Sequence, residues 1–217
     1  MDTTAHNIAF DSEGECNFCK LHKKMEKRFP MGTEYSPMLE PLVNKIKERG
    51  KKNNYDCILG ISGGRDSTFL LYTAHKMGLR PLAVHFNDGW GNPICGENMK
   101  KVTSKLNIPF RTITSDWRES KDIKIAFLKA SVPELDLGTD LGIAATLYSI
   151  AYKEKIKTVL IGNSFRTEGI MPLTWSYMDG SYLKSIHNQF GSMKLRPWKP
   201  DDPGFNLGVR EIFFYTI

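Results

Sequence analysis

The run YDCILGI at 55–61 passes directly into SGGRDST at 62–68. A short apolar segment that stops at glycines reads as a strand buried on both faces, the kind found in parallel sheets covered by helices. A helix follows from Asp66 to Met77 and is stopped by Gly78. The same alternation then repeats. PLAVHF (81–86), PFRTITSD (109–116) and KTVLIG (157–162) read as strands, and helices are expected at about 94–106, 119–130 and 139–153. Strands that alternate with helices imply right-handed crossovers, so the expected fold is α/β, a parallel doubly wound sheet. Ligands of such sheets sit beyond the carboxyl ends of the strands, which selects the loops 62–66, 87–93 and 163–170.

Before the first strand, a helix is expected from Ser36 to Arg49, with Met38, Leu42, Val43 and Ile46 at helical spacing. Residues 1–33 are polar and irregular, with a C-N-F-C knuckle and a short basic helix from about Lys20. The chain thus reads as a cysteine-knuckle extension, 1–33, and an α/β domain, 34–217. The tail from about 191 is rich in Gly, Pro and aromatics and ends in the uncharged, apolar run IFFYTI. An end of that kind calls for a partner surface, as if the chain were a piece of something longer.

Composition excludes several classes. The 217 residues, 41% of them apolar, can bury a substantial core. There is no run of eighteen apolar residues and no signal-peptide pattern at the start, so a cytoplasmic protein with no membrane partner is expected. Four cysteines at 16, 19, 57 and 95 do not form a secreted disulfide framework. The net charge of +6 favours anionic partners. No basic stripe is interleaved with aromatics, which argues against nucleic acid.

A strand, a glycine loop and a helix start make an anion site: glycines admit the ligand, and the free helical N–H groups point at it. Ser62, Ser67 and Thr68 add hydroxyl donors. The phosphate-loop pattern GxxxxGK[ST] is absent from the chain, and the glycines at 60, 63 and 64 do not fit GxGxxG. SGGRDS instead resembles the SGGxDS signature of the PP-loop ATP pyrophosphatases. That superfamily includes the synthetase domains of GMP and NAD synthetases, argininosuccinate synthetase and several tRNA-modifying enzymes. The resemblance implies that Ser62, Gly63, Gly64, Asp66, Ser67 and Thr68 hold the pyrophosphate part of ATP, with Mg²⁺, while the α–β bond is cleaved. It also implies that His85, Phe86 and Asn87, ending the second strand, contact adenine.

FDSEGECNFC (10–19), AVHFNDGW (83–90) and IGNSFRTEGIMPLTW (161–175) narrow the resemblance to the N-acetyl sugar amidotransferases, which are involved in making amidino sugars for bacterial surface polysaccharides such as O-antigen. The family pattern covers about residues 2–190, carries another cysteine pair before the position of Met1, and continues beyond Ile217. The implied reaction adenylates the acetamido oxygen of a UDP-linked N-acetyl sugar. Ammonia from a separate glutaminase subunit then displaces AMP.

Each candidate has a plainer reading. Asp66 either orients Mg²⁺ or caps its helix. His85 is a nucleotide contact or a core histidine, and Asp88 and Trp90 are substrate contacts or turn residues. Asn163, Arg166 and Glu168 are site residues or a loop with a surface ion pair. In the site reading Asn163 and Arg166 bind substrate, Arg166 gripping phosphate, and Glu168 handles Mg²⁺ or a proton. GTDLG at 138–142 opens a helix, with Asp140 as a cap or a site residue. Cys16 and Cys19 have zinc-knuckle spacing but supply two of the four ligands a structural Zn²⁺ needs. The alternatives to the amidotransferase are a tRNA-modifying PP-loop enzyme and an inactive nucleotide-binding module.

Overall fold

A computed structural model describes residues 1–32, 36–175 and 179–207. The chain forms two compact units, Met1–Asn44 with Asn163–Tyr177, and Lys45–Gly162 with Met178–Ile217. The apolar run 212–217 lies outside the described residues.

The larger unit is built on four parallel strands: β1 (Cys57–Gly60), β2 (Pro81–Asn87), β3 (Phe110–Thr114) and β4 (Val159–Leu160), in the order β3-β2-β1-β4. The parallel α/β sheet read from the strand–helix alternation is therefore present. β1 is central, and Cys57, Ile58 and Leu59 are fully buried. Because side chains alternate along a strand, full burial of all three requires cover on both faces of the sheet. One face is covered by the helix α6 (Leu137–Lys153), whose Leu147, Ile150 and Ala151 pack with Ile58, Leu82 and Val84. β4 pairs only through Val159 and Leu160, so the expected strand at 157–162 shrinks to the two residues that meet β1.

The helices α3 (Arg65–Lys76), α4 (Pro93–Lys105) and α5 (Trp117–Ala130) lie close to their expected spans. Asn92 and Asp116 cap α4 and α5 by accepting from the amides of Ile94 and Arg118. The α6 start differs from expectation. Its N-cap is Asp136, so GTDLG lies inside the first turns. Gly142 has a packing role there, because a Cβ at that position would come within 2.3 Å of the Phe86 ring.

A further helix, α7 (Gly180–Phe190), was not expected. Its signal is short: Asp179 as N-cap, apolar Leu183 and Ile186, then Gly191. Beyond it, the tail folds back into a second core. Leu195, Trp198, Phe205 and Leu207 pack with Phe86, Phe127 and Leu183. Two buried acids on α5 hold that tail. Glu119, with no exposed surface, accepts from the amides of Arg196 (2.6 Å) and Phe205 (3.2 Å) and from the Arg196 guanidinium (3.1 Å). Asp122 accepts from the Ser192 amide and hydroxyl, the Met193 amide and His187 Nε2 (2.7 Å).

The smaller unit contains α1 (Asn17–Arg28), and the helix α2 (Ser36–Gly50) begins in it. Cys16 caps α1, its sulfur accepting from the Cys19 amide at 3.3 Å. Among the described residues no helix is long and apolar enough to cross a membrane.

Burial pushes the Asp122 carboxyl up, but its hydrogen bonds outweigh that and bring it down to about 2. A carboxylate depressed in the folded state stabilises it fully above its unfolded value near ~4. That contribution is lost as pH falls from about 4 to about 2. Asp122→Ala strands several donors and is expected to cost ~2–4 kcal/mol, and to flatten this acid limb in urea titrations at pH 2–5.

Candidate nucleotide site

The carboxyl end of β1 leads into the loop 61–64, and α3 starts at Arg65. The helix is capped by Gly64, with no side-chain cap, which corrects the reading of Asp66 as a cap. Asp66 is exposed in the first turn, and its carboxylate makes no hydrogen bond among the described residues. The first-turn amides of Arg65, Asp66 and Ser67 have no helical acceptor of their own, and they carry the positive end of the helix dipole.

Gly63 is held in a conformation that suits glycine, with φ +76°. A Cβ there would come within 2.2 Å of the Cys95 carbonyl oxygen, at the start of α4. Asn98 donates to the Gly63 carbonyl at 3.3 Å, so α4 fixes the loop from outside. From inside, the buried Ser67 hydroxyl accepts from the Ser62 amide at 3.1 Å and lies 3.0 Å from the Ser62 hydroxyl. Ser67 is therefore spent on shaping the loop. Ser62 is exposed, and its hydroxyl faces the Gly64 amide at 3.4 Å. Beyond β4, Gly162 lies against the α3 start, since a Cβ on it would meet the Ser67 amide nitrogen at 2.8 Å. This β1/β4 edge is where chain order reverses in the sheet, the position at which open α/β sheets bind ligands.

The residues ending β2 have mixed placements. His85 is half-buried and its Nδ1 lies 3.0 Å from the Ile61 carbonyl, so Nδ1–H donates to the chain entering the glycine loop. Burial pushes its pKa down, which keeps the ring neutral and leaves Nε2 as an acceptor. Phe86 is a core residue packed against Trp198 and Phe205. The Asn87 side chain accepts from the Gly89 amide at 3.0 Å. Asp88, only 7% exposed, accepts from the Trp90 amide (3.1 Å) and from the Thr139 hydroxyl (2.5 Å).

Trp90 itself is 48% exposed and lies beside Trp117, 45% exposed, with ring centroids 4.8 Å apart. Sequence reading did not single out Trp117. No local spacing links residues on different sheet connections, and only the adjacency of β2 and β3 brings them together.

Asn163, Arg166 and Glu168 belong to the smaller unit. There the Arg166 guanidinium donates to the Phe29 carbonyl, just past the end of α1, at 2.6 Å. It also lies 4.5 Å from the Phe165 ring centroid, and Phe165 packs against His22 and Phe29. The Glu168 carboxylate accepts from the Ser164 amide at 3.4 Å. Cys16 and Cys19 bring their sulfurs to 3.4 Å. Among the described residues no third His, Cys, Asp or Glu joins them, so the expected Zn²⁺ site does not fit what is present.

No family model matches the chain. A tRNA(Ile)-lysidine synthase from Chlamydia pneumoniae is 32% identical over 92 residues, 37% of this chain and 29% of that protein's own length. The chain therefore spans less than a third of this curated relative. Among solved structures, an NH3-dependent NAD synthetase from Campylobacter jejuni in complex with the nitrate ion covers 71% of this chain and 72% of its own, at 17% identity and a TM-score of 0.44. The predicted subunit of a tRNA methyltransferase from Methanocaldococcus jannaschii covers 61% and 63%, at 16% identity and a TM-score of 0.39. The SGGRDS loop at its structural position and the local match to the lysidine synthase point to the PP-loop ATP pyrophosphatase superfamily. The finer resemblance to the sugar amidotransferases rests on the cysteine knuckle and the two loop motifs alone.

Gly63→Ala tests the loop geometry. The added methyl meets backbone rather than a movable side chain, so a loss of ~1–3 kcal/mol is expected in denaturant melts. Gly91→Ala, where a Cβ meets nothing within 4 Å, should be close to neutral in the same assay.

Proposed function

We propose that the chain is the ATP-using part of an amidotransferase that forms AMP and pyrophosphate, acting on the acetamido group of a UDP-linked N-acetyl sugar. The observation that carries the ATP reading is the loop from Ser62 to Thr68, which leaves a buried central strand and aims unpaired helical amides past a glycine held at φ +76°. The absence of a loop lysine is consistent with gripping a departing pyrophosphate rather than positioning a γ-phosphoryl for transfer.

In the proposed reaction the acetamido oxygen bonds to the α-phosphorus, and the α–β anhydride bond breaks to release pyrophosphate. Ammonia then bonds to the imidate carbon, the carbon–oxygen bond to AMP breaks, and loss of a proton leaves the acetamidine. The amides of Arg65, Asp66 and Ser67, with the Ser62 hydroxyl, stabilise charge that builds on the leaving pyrophosphate. Asp66 has an unengaged, exposed carboxylate, and one carboxylate plus phosphate oxygens and water is the ordinary Mg²⁺ set, so the residues fit that ion. The ion would neutralise charge on the phosphates. His85 fixes the loop entrance, and the β2 end supplies backbone for adenine. Ammonia comes from a separate glutaminase subunit in this reading. Trp90 is assigned to the sugar nucleotide, and the buried Asp88 positions it by accepting from its amide.

A second reading is a tRNA-modifying PP-loop enzyme. The match to a tRNA(Ile)-lysidine synthase supports it. The two separate by product analysis with ATP, Mg²⁺ and ammonia. AMP and pyrophosphate are expected with at least one member of a UDP-N-acetyl sugar panel. Formation only with tRNA selects the second reading, and ADP in place of AMP rejects the PP-loop assignment.

Ser62→Ala and Asp66→Ala are expected to lower ATP turnover at least tenfold while changing stability by under ~1 kcal/mol, because both groups are exposed. Arg166→Ala separates two roles. If it only anchors the Phe29 carbonyl, thermal stability falls and turnover at saturating substrate holds; the phosphate role requires turnover to fall as well.

A further inference from the structure

The Trp90–Trp117 pair is an exposed aromatic surface on the strand-end edge of the larger unit that the core does not use. Each ring is close to half exposed, 48% and 45%, and their planes are inclined by 48°. Both sit on built supports. The buried Asp88 carboxylate holds the Trp90 amide, and a Cβ on Gly89 (φ +87°) would come 2.4 Å from the Trp117 ring. The ring thus lies directly on loop backbone. Lys124 lies 5.6 Å from the Trp90 ring centroid and is tied to Asp136 and the Thr139 hydroxyl. Trp117, Lys121 and Lys124 fall at i, i+4 and i+7 on α5, hence on one face. Lys121 is exposed and has no ion-pair or hydrogen-bond partner among the described residues. Arg118, by contrast, is folded back on Asp116 at 2.8 Å.

An exposed pair of indoles with a free ammonium one turn along the helix matches a base joined to phosphate. The loop that carries Trp90 runs on to Cys95, which touches Gly63 of the phosphate loop. The shelf is therefore a neighbour of the proposed ATP site on one continuous stretch of chain. We infer that Trp117 and Trp90 form a stacking shelf for the base of a second nucleotide, a nucleoside diphosphate, with Lys121 facing its phosphates. This deepens the reading of Trp90 as a substrate contact and rests on the proposed function for the choice of UDP. Among the described residues the shelf is the two rings of Trp90 and Trp117 with the unpaired Lys121 beside them, which suits a single nucleotide better than a strand of RNA.

The test titrates the full chain with UDP and follows tryptophan fluorescence, with calorimetry for affinity. Saturable quenching is expected. Trp117→Ala should weaken UDP binding about tenfold or more, the usual scale for losing one base stack, and Trp117→Phe should recover most of it. Lys121→Ala should weaken UDP but not uridine. A non-hydrolysable ATP analogue should bind Trp117→Ala within about twofold of the parent, which also shows that the variant is folded. The inference is overturned if UDP neither quenches nor binds, or if Trp117→Ala binds UDP as the parent does. It is also overturned if the ATP analogue loses affinity in parallel, which would make the shelf the adenine seat, or if oligouridylate displaces UDP at far lower concentration than UDP itself. Failure of the proposed reaction reads out differently. UDP binding that depends on Trp117, without AMP from any UDP-sugar, removes the reaction and keeps the shelf.

Discussion

The parallel pairing of β1 with β2 on one side and β4 on the other sets the rest of the site. It leaves β1 no exposed edge and allows the apolar CIL of that strand to be fully buried. The chain must then leave the sheet at Gly60 and turn within four residues into α3. That turn is where backbone amides are left without partners, and at a sheet centre they can only face the open carboxyl edge. The anion binding proposed at this point rests on hydrogen-bond accounting more than on any single side chain.

The loop is held by contacts that carry no catalytic chemistry. Cys95 and Asn98 press on Gly63 from α4, Gly162 backs against the α3 start, and Ser67 fills the inside. Each fixes where amides point, and preorganised dipoles stabilise charge without reorganising during reaction. Ser67 illustrates the division of labour, because a residue of the motif is spent on shape while the exposed Ser62 and Asp66 stay available to a ligand. The tail is integrated by the same economy. Glu119 and Asp122, acids inside the core, are satisfied by amides of 192–205 and so tie α5 to a segment distant in sequence.

Much of this was legible in order along the chain. Short apolar runs gave the strands, the first of them ending at glycine, and helical spacing gave the helices between them. The misses have physical causes. α7 is short and interrupts a polar stretch, so its periodicity is weak. β4 ends early because strand length is set by the partner, not by the apolar run. Gly142 reads as helix punctuation until the Phe86 ring is seen against it.

By itself the sequence determined the α/β alternation, the glycine loop after a buried strand and the candidate ligands along it, because these depend on neighbours within a few residues. Only the tertiary structure decided which of them meet. It paired Trp90 with Trp117 across adjacent strand ends and put Phe86 in the core. It tied Arg166 to the Phe29 carbonyl and left the two knuckle cysteines without further ligands among the described residues. Such contacts join positions tens of residues or more apart. Their geometry is fixed by strand order and packing, which no local pattern of residues encodes.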